Sequence, residues 1–381
     1  MDHRPGAGRP PWPHRSAVAQ PALIPSTPSF ATAAAPAAVA PAPASGERYG
    51  RIQILRFVAA LGVVLYHGSL YLQQKRPDAG VAVRVFDHHF ALGVQLFFVI
   101  SGFVIAHSIE RMSVGEFARR RLLRIYPAYW LAVAITLGGK LLLFGTIPGG
   151  EDLGRALTLL PFGPLVYPLS VEWSLIYEVF FYGVVALAAA FGWARTRDWL
   201  CVLWLLVIVV AALEPQAKPT AFLPTFSQIA FSAFNLPFIA GLVVHRLHLR
   251  LPVETRHAYL AAAVALLVGA EFLLRTESKL LLQGMAFGAL ALWAVLADRH
   301  APMARGSFAV RLGDWSYGLY LMHVPIITLL LSFGIGVVLP PIAQFVLVIV
   351  AAVVGASAFG AFEAAFYQRL LRWTRPAVTA R

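Results

Sequence analysis

The chain has 381 residues, 59% of them hydrophobic and only 13% charged, with a mean hydropathy of +0.70. That balance excludes a water-soluble globular domain. The net charge of +13 does not indicate nucleic acid, because the cations stand at the ends of apolar runs and form no aromatic-interleaved stripe.

Residues 1–46 are rich in Pro and Ala and lack the apolar core of a signal peptide, so they are expected to form a disordered cytoplasmic tail. Apolar runs of about 20 residues then recur, each long enough to cross a hydrocarbon layer roughly 30 Å thick. Lipid offers the backbone no hydrogen-bond partners, and the alternation of a β-barrel strand is missing, so the runs are expected to be helices. The expected fold is an all-α, polytopic transmembrane helical bundle of about ten spans, near 52–72, 90–108, 125–145, 173–191, 198–213, 226–245, 257–274, 279–297, 314–333 and 338–362. The tail and the loops after even-numbered spans carry most of the Lys and Arg, which predicts cytoplasmic N- and C-termini. A domain over 47–370 and a cytoplasmic tail over 371–381 complete the expected organisation. Cys201 is the single cysteine, which leaves neither a disulfide framework nor a thiolate cluster.

In the first span, Arg56 and His67 are the ionisable groups well inside the apolar run. Eleven residues make about three turns, which sets both on one face roughly 16 Å apart. An ionisable residue in lipid usually faces a cavity or a partner. The competing readings are an Arg56 that snorkels to headgroups and a His67 that only packs. A neutral imidazole here would provide the base that acyl transfer to a hydroxyl requires.

In the second span, FALGVQLFFVISGFVIAH, Gly93, Ser101 and Gly102 read as helix-packing residues, with Gln95 and Ser101 as candidate cavity-lining groups. The third span is entered through FARRRLLRIYPAYW, in which Arg121 and Arg124 share a face at the inner boundary. Paired guanidiniums clamp phosphates; they equally anchor a helix to anionic headgroups. The fourth span opens with SVEWSLIYEVFFY. Glu172 is expected solvated at its outer edge, whereas Glu178 lies deeper and needs a partner, either His67 or Arg56 in a catalytic arrangement or a purely structural ion pair. Trp173, Ser174 and Tyr177 join the candidate cavity-lining residues. In the ninth span, DWSYGLYLMHVPII, His323 near mid-membrane is another, as a positioning or packing residue. The sequence has no HExxH, P-loop or GxSxG motif, and the spacings of His88 with His89 and of His245 with His248 make only weak metal signals, so no metal site and no bound cofactor are expected.

Taken in order, Arg56-x10-His67, FFVISGF at 97–103, Arg121-x-x-Arg124 followed by Tyr126-Pro127, WSLIYEVFFY at 173–182 and SYGLYLMHVP at 316–325 resemble the successive signatures of the acyltransferase-3 family of membrane O-acyltransferases, closest to the branch acting on bacterial exopolysaccharides. The resemblance covers about residues 48 to 370. It implies a multi-pass enzyme of the bacterial inner membrane that uses acetyl-CoA or another acyl-CoA as donor substrate. Its implied acceptor is a hydroxyl of a carbohydrate or glycolipid, a cell-surface polysaccharide or its lipid-linked precursor. Membrane lipids and polysaccharide-assembly proteins are the further partners, with no nucleic acid. It also implies His67 at the acyl-transfer centre with Arg56 essential, Glu178 as the first acidic residue of its signature, and Arg121 and Arg124 engaging the donor. Val179 stands where many relatives have a second acid. The rival readings are a glycolipid transporter and a non-catalytic subunit of a polysaccharide-assembly complex.

Overall fold

The computed structural model describes residues 49–374 apart from 87, 146, 148–151, 214–221, 274, 275 and 305. The expected tail over 1–46 lies outside the described residues, as do the side chains of His88 and His89 and residues 375–381 of the C-terminal segment.

Among the described residues ten principal helices stand near the ten expected spans: α1 Gly50–Lys75, α2 Gly93–Ile109, α3 Val114–Phe144, α4 Glu172–Ala190, α5 Trp193–Leu213, α6 Leu236–Leu247, α7 Arg256–Glu271, α8 Thr276–His300, α9 Phe308–Ser332 and α10 Pro341–Trp373. Length and apolarity suffice for a crossing in six of them, α1, α3, α4, α8, α9 and α10, while α2 and α6 are shorter apolar helices. The count of crossings supported in this way is therefore six, below the ten expected. Of the other four, α2, α6 and α7 have 17, 12 and 16 residues, while α5 has 21. Among the described residues there is no strand, only an isolated bridge between Phe162 and Thr225.

One expected start and one expected end fall inside longer helices. α3 begins at Val114, eleven residues before the apolar run, because Ser113 Oγ accepts a hydrogen bond from Glu116 N at 3.3 Å and caps the first turn. It ends where Gly145 takes a left-handed φ of 70°. α10 continues to Trp373, past the expected boundary at 370.

α9 packs against α1 and α10, α2 against α6, and α7 against α8. Small residues set the closest approaches: a Cβ on Gly102 or Gly241 would strike the facing backbone of α6 or α2, and one on Gly318 would strike Gly360 of α10. Lipid supplies no hydrophobic drive between helices, so such backbone-to-backbone packing holds them together. At one end of the bundle Arg119 and Arg120 pair with Glu116, Arg119 also reaches Thr374, Arg246 pairs with Asp198, and Arg299 donates to His248 O and Leu251 O. The opposite end carries Arg76, Lys140 and the segments 152–171 and 333–340.

Candidate active site

A cavity of about 510 Å³ opens between α1, α2, α3, α4, α9 and α10. That is ample for one small-molecule ligand or the reactive arm of a larger one. At its arginine-rich mouth stand Tyr367 and Gln368; at its far end stand Phe97, Ser174 and Tyr320.

Arg56, Arg121 and Arg124 all line this cavity, together with Glu178 and Asp314. Four helices thus bring their ionisable groups to one space, which answers the cost of keeping them in lipid. Arg56 donates to Gln53 Oε1 at 3.2 Å. Arg121 donates to Ser108 Oγ at 2.6 Å, and its guanidinium lies over the rings of Phe117 and Tyr182. Arg124 differs, because it is paired with Glu363 at 2.5 Å and sits over Tyr317 and Tyr367. Glu363 is 2% exposed, so this is an internal ion pair spanning α3 and α10. The two arginines expected to act as one clamp therefore stand in unlike environments: Arg121 faces neutral groups, and Arg124 has its charge offset.

Glu178 accepts hydrogen bonds from Ser101 Oγ at 3.1 Å and Tyr182 OH at 2.6 Å. It shares the cavity wall with Arg56 and makes no hydrogen bond to His67, one of the two partners considered for it. The imidazole of His67 meets His323 instead, with His323 Nε2 3.0 Å from His67 Nδ1. His323 Nδ1 lies 2.7 Å from the carbonyl oxygen of Tyr320. A carbonyl only accepts, so His323 Nδ1 is the donor there. In a neutral ring His323 Nε2 is then an acceptor, the Nδ1 proton of His67 is shared between it and the carbonyl oxygen of Val63 at 3.1 Å, and the lone pair of His67 lies on Nε2.

Neither histidine lines the 510 Å³ cavity; the wall between it and the pair is Tyr320, whose ring centroid is 5.7 Å from that of His323. Tyr320 OH is fixed by Ser174 Oγ at 2.6 Å and by donation to Val171 O at 3.2 Å.

Of the candidate cavity-lining residues, Ser101 and Ser174 line the cavity, whereas Gln95, Trp173, Tyr177 and His323 lie outside its lining. Trp173 packs among Phe98, Phe222 and Phe234, and Tyr177 donates to Ser232 Oγ at 2.8 Å. Gln95 Oε1 is buried without a hydrogen-bond partner. Glu172, expected solvated, is fully buried, because its oxygens accept from Leu169 N at 2.8 Å and Val171 N at 2.9 Å and so tie down the segment before α4.

Sequence reading missed Asp314, Glu363 and Tyr320. Glu363 is the single carboxylate of α10, a signal of the same kind as Glu178, but it falls one residue past the expected tenth span at 338–362. His245 and His248 are buried beside His107. Among the described residues no group of three His, Cys, Asp or Glu could hold a metal ion.

Residues 49–361 match the family model described as an acyltransferase domain. The chain is 29% identical over 303 residues to the exopolysaccharide production protein ExoZ of Rhizobium meliloti (strain 1021), covering 74% of this chain and 92% of that protein. It is 28% identical over 308 residues to the acyltransferase MdmB of Streptomyces mycarofaciens, covering 72% and 77% respectively. A 93-residue stretch, 24% of each chain, is 39% identical to nodulation protein 10 of Rhizobium leguminosarum bv. viciae. No solved structure matches the chain. With several helices long and apolar enough to span a membrane, and a family match over most of its length, the chain belongs to the acyltransferase-3 family and is a multi-pass membrane enzyme that transfers acyl groups.

Proposed function

We propose that the enzyme moves an acyl group, with acetyl as the first to test, from cytoplasmic acyl-CoA to a hydroxyl of a cell-surface polysaccharide or its lipid-linked precursor. The reading rests above all on the 510 Å³ cavity, which carries three arginines and runs from the arginine-rich end to the wall shared with the His67–His323 pair. Clustered cations favour the cytoplasmic side, so the cavity mouth faces the pool of acyl-CoA. Arg121, with only neutral partners, is the guanidinium available to a donor phosphate. Arg124, held by Glu363, shapes the mouth. Arg56 lies deeper, where negative charge develops on a thioester carbonyl.

His67 takes the proton of the acceptor hydroxyl through Nε2 as that oxygen attacks the thioester carbon. The C–O bond forms, the C–S bond breaks, and the imidazolium returns the proton to the departing thiolate, releasing the free thiol. Resemblance to the exopolysaccharide production protein supports a carbohydrate acceptor.

The test is transfer of radiolabelled acetate from acetyl-CoA to an envelope glycan fraction by the purified protein in lipid. Wild type leaves label covalently on glycan, and His67→Ala leaves none while remaining folded. Label transferred by His67→Ala at the wild-type rate removes His67 from the centre. A transporter or a non-catalytic subunit would leave no covalent label with either protein.

A further inference from the structure

A second cavity, of about 270 Å³, lies toward the opposite end of the bundle between α1, α3, α9 and the segment before α4. Tyr71, Thr136, Lys140, Ser170, Thr328 and Ser332 supply its polar lining. Three of them are in states that a folded protein does not leave without cause. Thr136 is 7% exposed and its Oγ1 is buried with no hydrogen-bond partner among the described residues, whereas a helical threonine ordinarily bonds the carbonyl one turn back. Lys140, one turn further along the same face of α3, makes no hydrogen bond or ion pair among the described residues. The carboxylate within its electrostatic range is Glu172, whose oxygens are already engaged by Leu169 N and Val171 N. Ser170 at the rim holds a φ of 64°, a conformation that side chains other than Gly and Asn rarely adopt and that clusters at ligand sites.

The cavity touches the candidate centre from the side opposite the arginines. Tyr71 lines it and stacks on His67, with ring centroids 6.0 Å apart and 22° between planes. An aromatic face presents an apolar surface with a polar tip, which suits the C–H face of a sugar ring. A ring lying on the free face of Tyr71 would be one aromatic ring away from the imidazole. Ile135 and Phe144, exposed at the edge of the cavity, leave it open sideways to the lipid.

We propose that this cavity binds the acceptor as a sugar whose reacting hydroxyl lies beside an oxyanion, with Lys140 on the oxyanion, Thr136 Oγ1 on a sugar hydroxyl and Tyr71 under the ring. The oxyanion is a carboxylate of an acidic sugar or a phosphate of a lipid linkage, and both present the same chemistry to Lys140. This assignment rests on the transferase reading with His67 at its centre, and it is tested without turnover.

Equilibrium binding to the full-length protein in lipid nanodiscs is measured with three probes: a glucuronate-containing tetrasaccharide, its carboxyl-reduced neutral counterpart, and a polyprenyl-diphosphate glucose. Wild type should bind at least one anionic probe about tenfold more tightly than the neutral one, a difference of about 1.4 kcal/mol. Preference for the tetrasaccharide identifies the sugar carboxylate, and preference for the diphosphate identifies the lipid linkage. Lys140→Gln should erase that preference, and Thr136→Val, which keeps shape and removes the hydroxyl, should weaken binding of the preferred probe several-fold. Acetyl-CoA affinity should be unchanged in both variants. No anionic preference in the wild type, or a preference that survives Lys140→Gln, overturns the assignment. Because binding requires no acyl transfer, loss of the His67 hypothesis in the labelling assay would leave this result readable on its own.

Discussion

At the scale of single residues, the pair His67–His323 and the pair Arg124–Glu363 decide most of what the site can do. His323 lines neither cavity, yet its Nε2 accepts from His67 Nδ1, whose proton the Val63 carbonyl also holds, and so fixes the orientation of the His67 ring. A residue acting in this way is a positioning residue, and its loss should misorient the imidazole rather than weaken binding, since Val63 O still holds the Nδ1 proton. His323→Ala is expected to lower kcat on the order of 10²-fold with little change in KM for either substrate. Equal changes in both KM values with kcat intact would mark His323 as packing alone. The Arg124–Glu363 pair is a stability device as well as a shape. Removing one partner of a buried ion pair leaves an uncompensated charge, and Glu363→Ala should cost about 3–5 kcal/mol, read as a lowered unfolding midpoint in detergent. Replacing both partners by apolar residues should recover most of that loss while weakening donor use, because Arg124 forms part of the cavity wall. These pairings were not legible in the sequence. Arg56, His67 and Glu178 stand out because each is an ionisable group in an apolar run. Their partners lie 239 and 256 residues away for Arg124 and His67, and no periodicity within one helix carries information about which other helix it meets.

At the scale of elements, the helices were legible wherever an apolar run exceeded a bilayer's worth of residues, since composition alone dictates them. Boundaries were less so: α3 extends eleven residues before its apolar run because a Ser113 cap and an Arg119–Glu116 ion pair at 2.7 Å stabilise a polar first stretch that hydropathy does not register. Ser101 and Gly102 of FFVISGF illustrate what one short motif can carry. Ser101 turns to Glu178 at the cavity, and Gly102, its neighbour in sequence, turns to Gly241 on α6. The motif therefore joins a site residue to a packing residue on adjacent faces of α2. Gly102→Ala should destabilise the protein by about 1–3 kcal/mol, because the added methyl meets backbone that cannot rotate away. Gly138→Ala, where a Cβ would meet nothing within 4 Å, is the matched control and should leave the unfolding midpoint unchanged or slightly raised. Equal midpoints for the two variants would show that the α2–α6 contact accommodates a methyl group at Gly102.

At the scale of the whole molecule, two cavities approach one histidine pair from opposite ends of the bundle, and this is the property an enzyme needs if donor and acceptor arrive from opposite faces of a membrane. The arginine-lined cavity has its mouth at Tyr367 and Gln368, and the second cavity has Ser170 at its rim. A single aqueous channel joining them would dissipate ion gradients; the Tyr320 wall and the stacked Tyr71 and His67 rings stand between them. The distribution of Lys and Arg predicts that Gln368 faces the cytoplasm, which puts Ser170 on the far side. Both side chains are exposed, so the expectation is open to direct labelling. In a Cys201→Ala background, Gln368→Cys should react with a membrane-impermeant maleimide only after the cytoplasmic face is opened, and Ser170→Cys should react in intact cells with the outer membrane permeabilised. Protection of Ser170→Cys by an acidic oligosaccharide, with no protection of Gln368→Cys, would further tie the outer face to the acceptor. Reaction of both cysteines from the same side would remove the physical basis for two-sided delivery, whatever the activity of the purified protein.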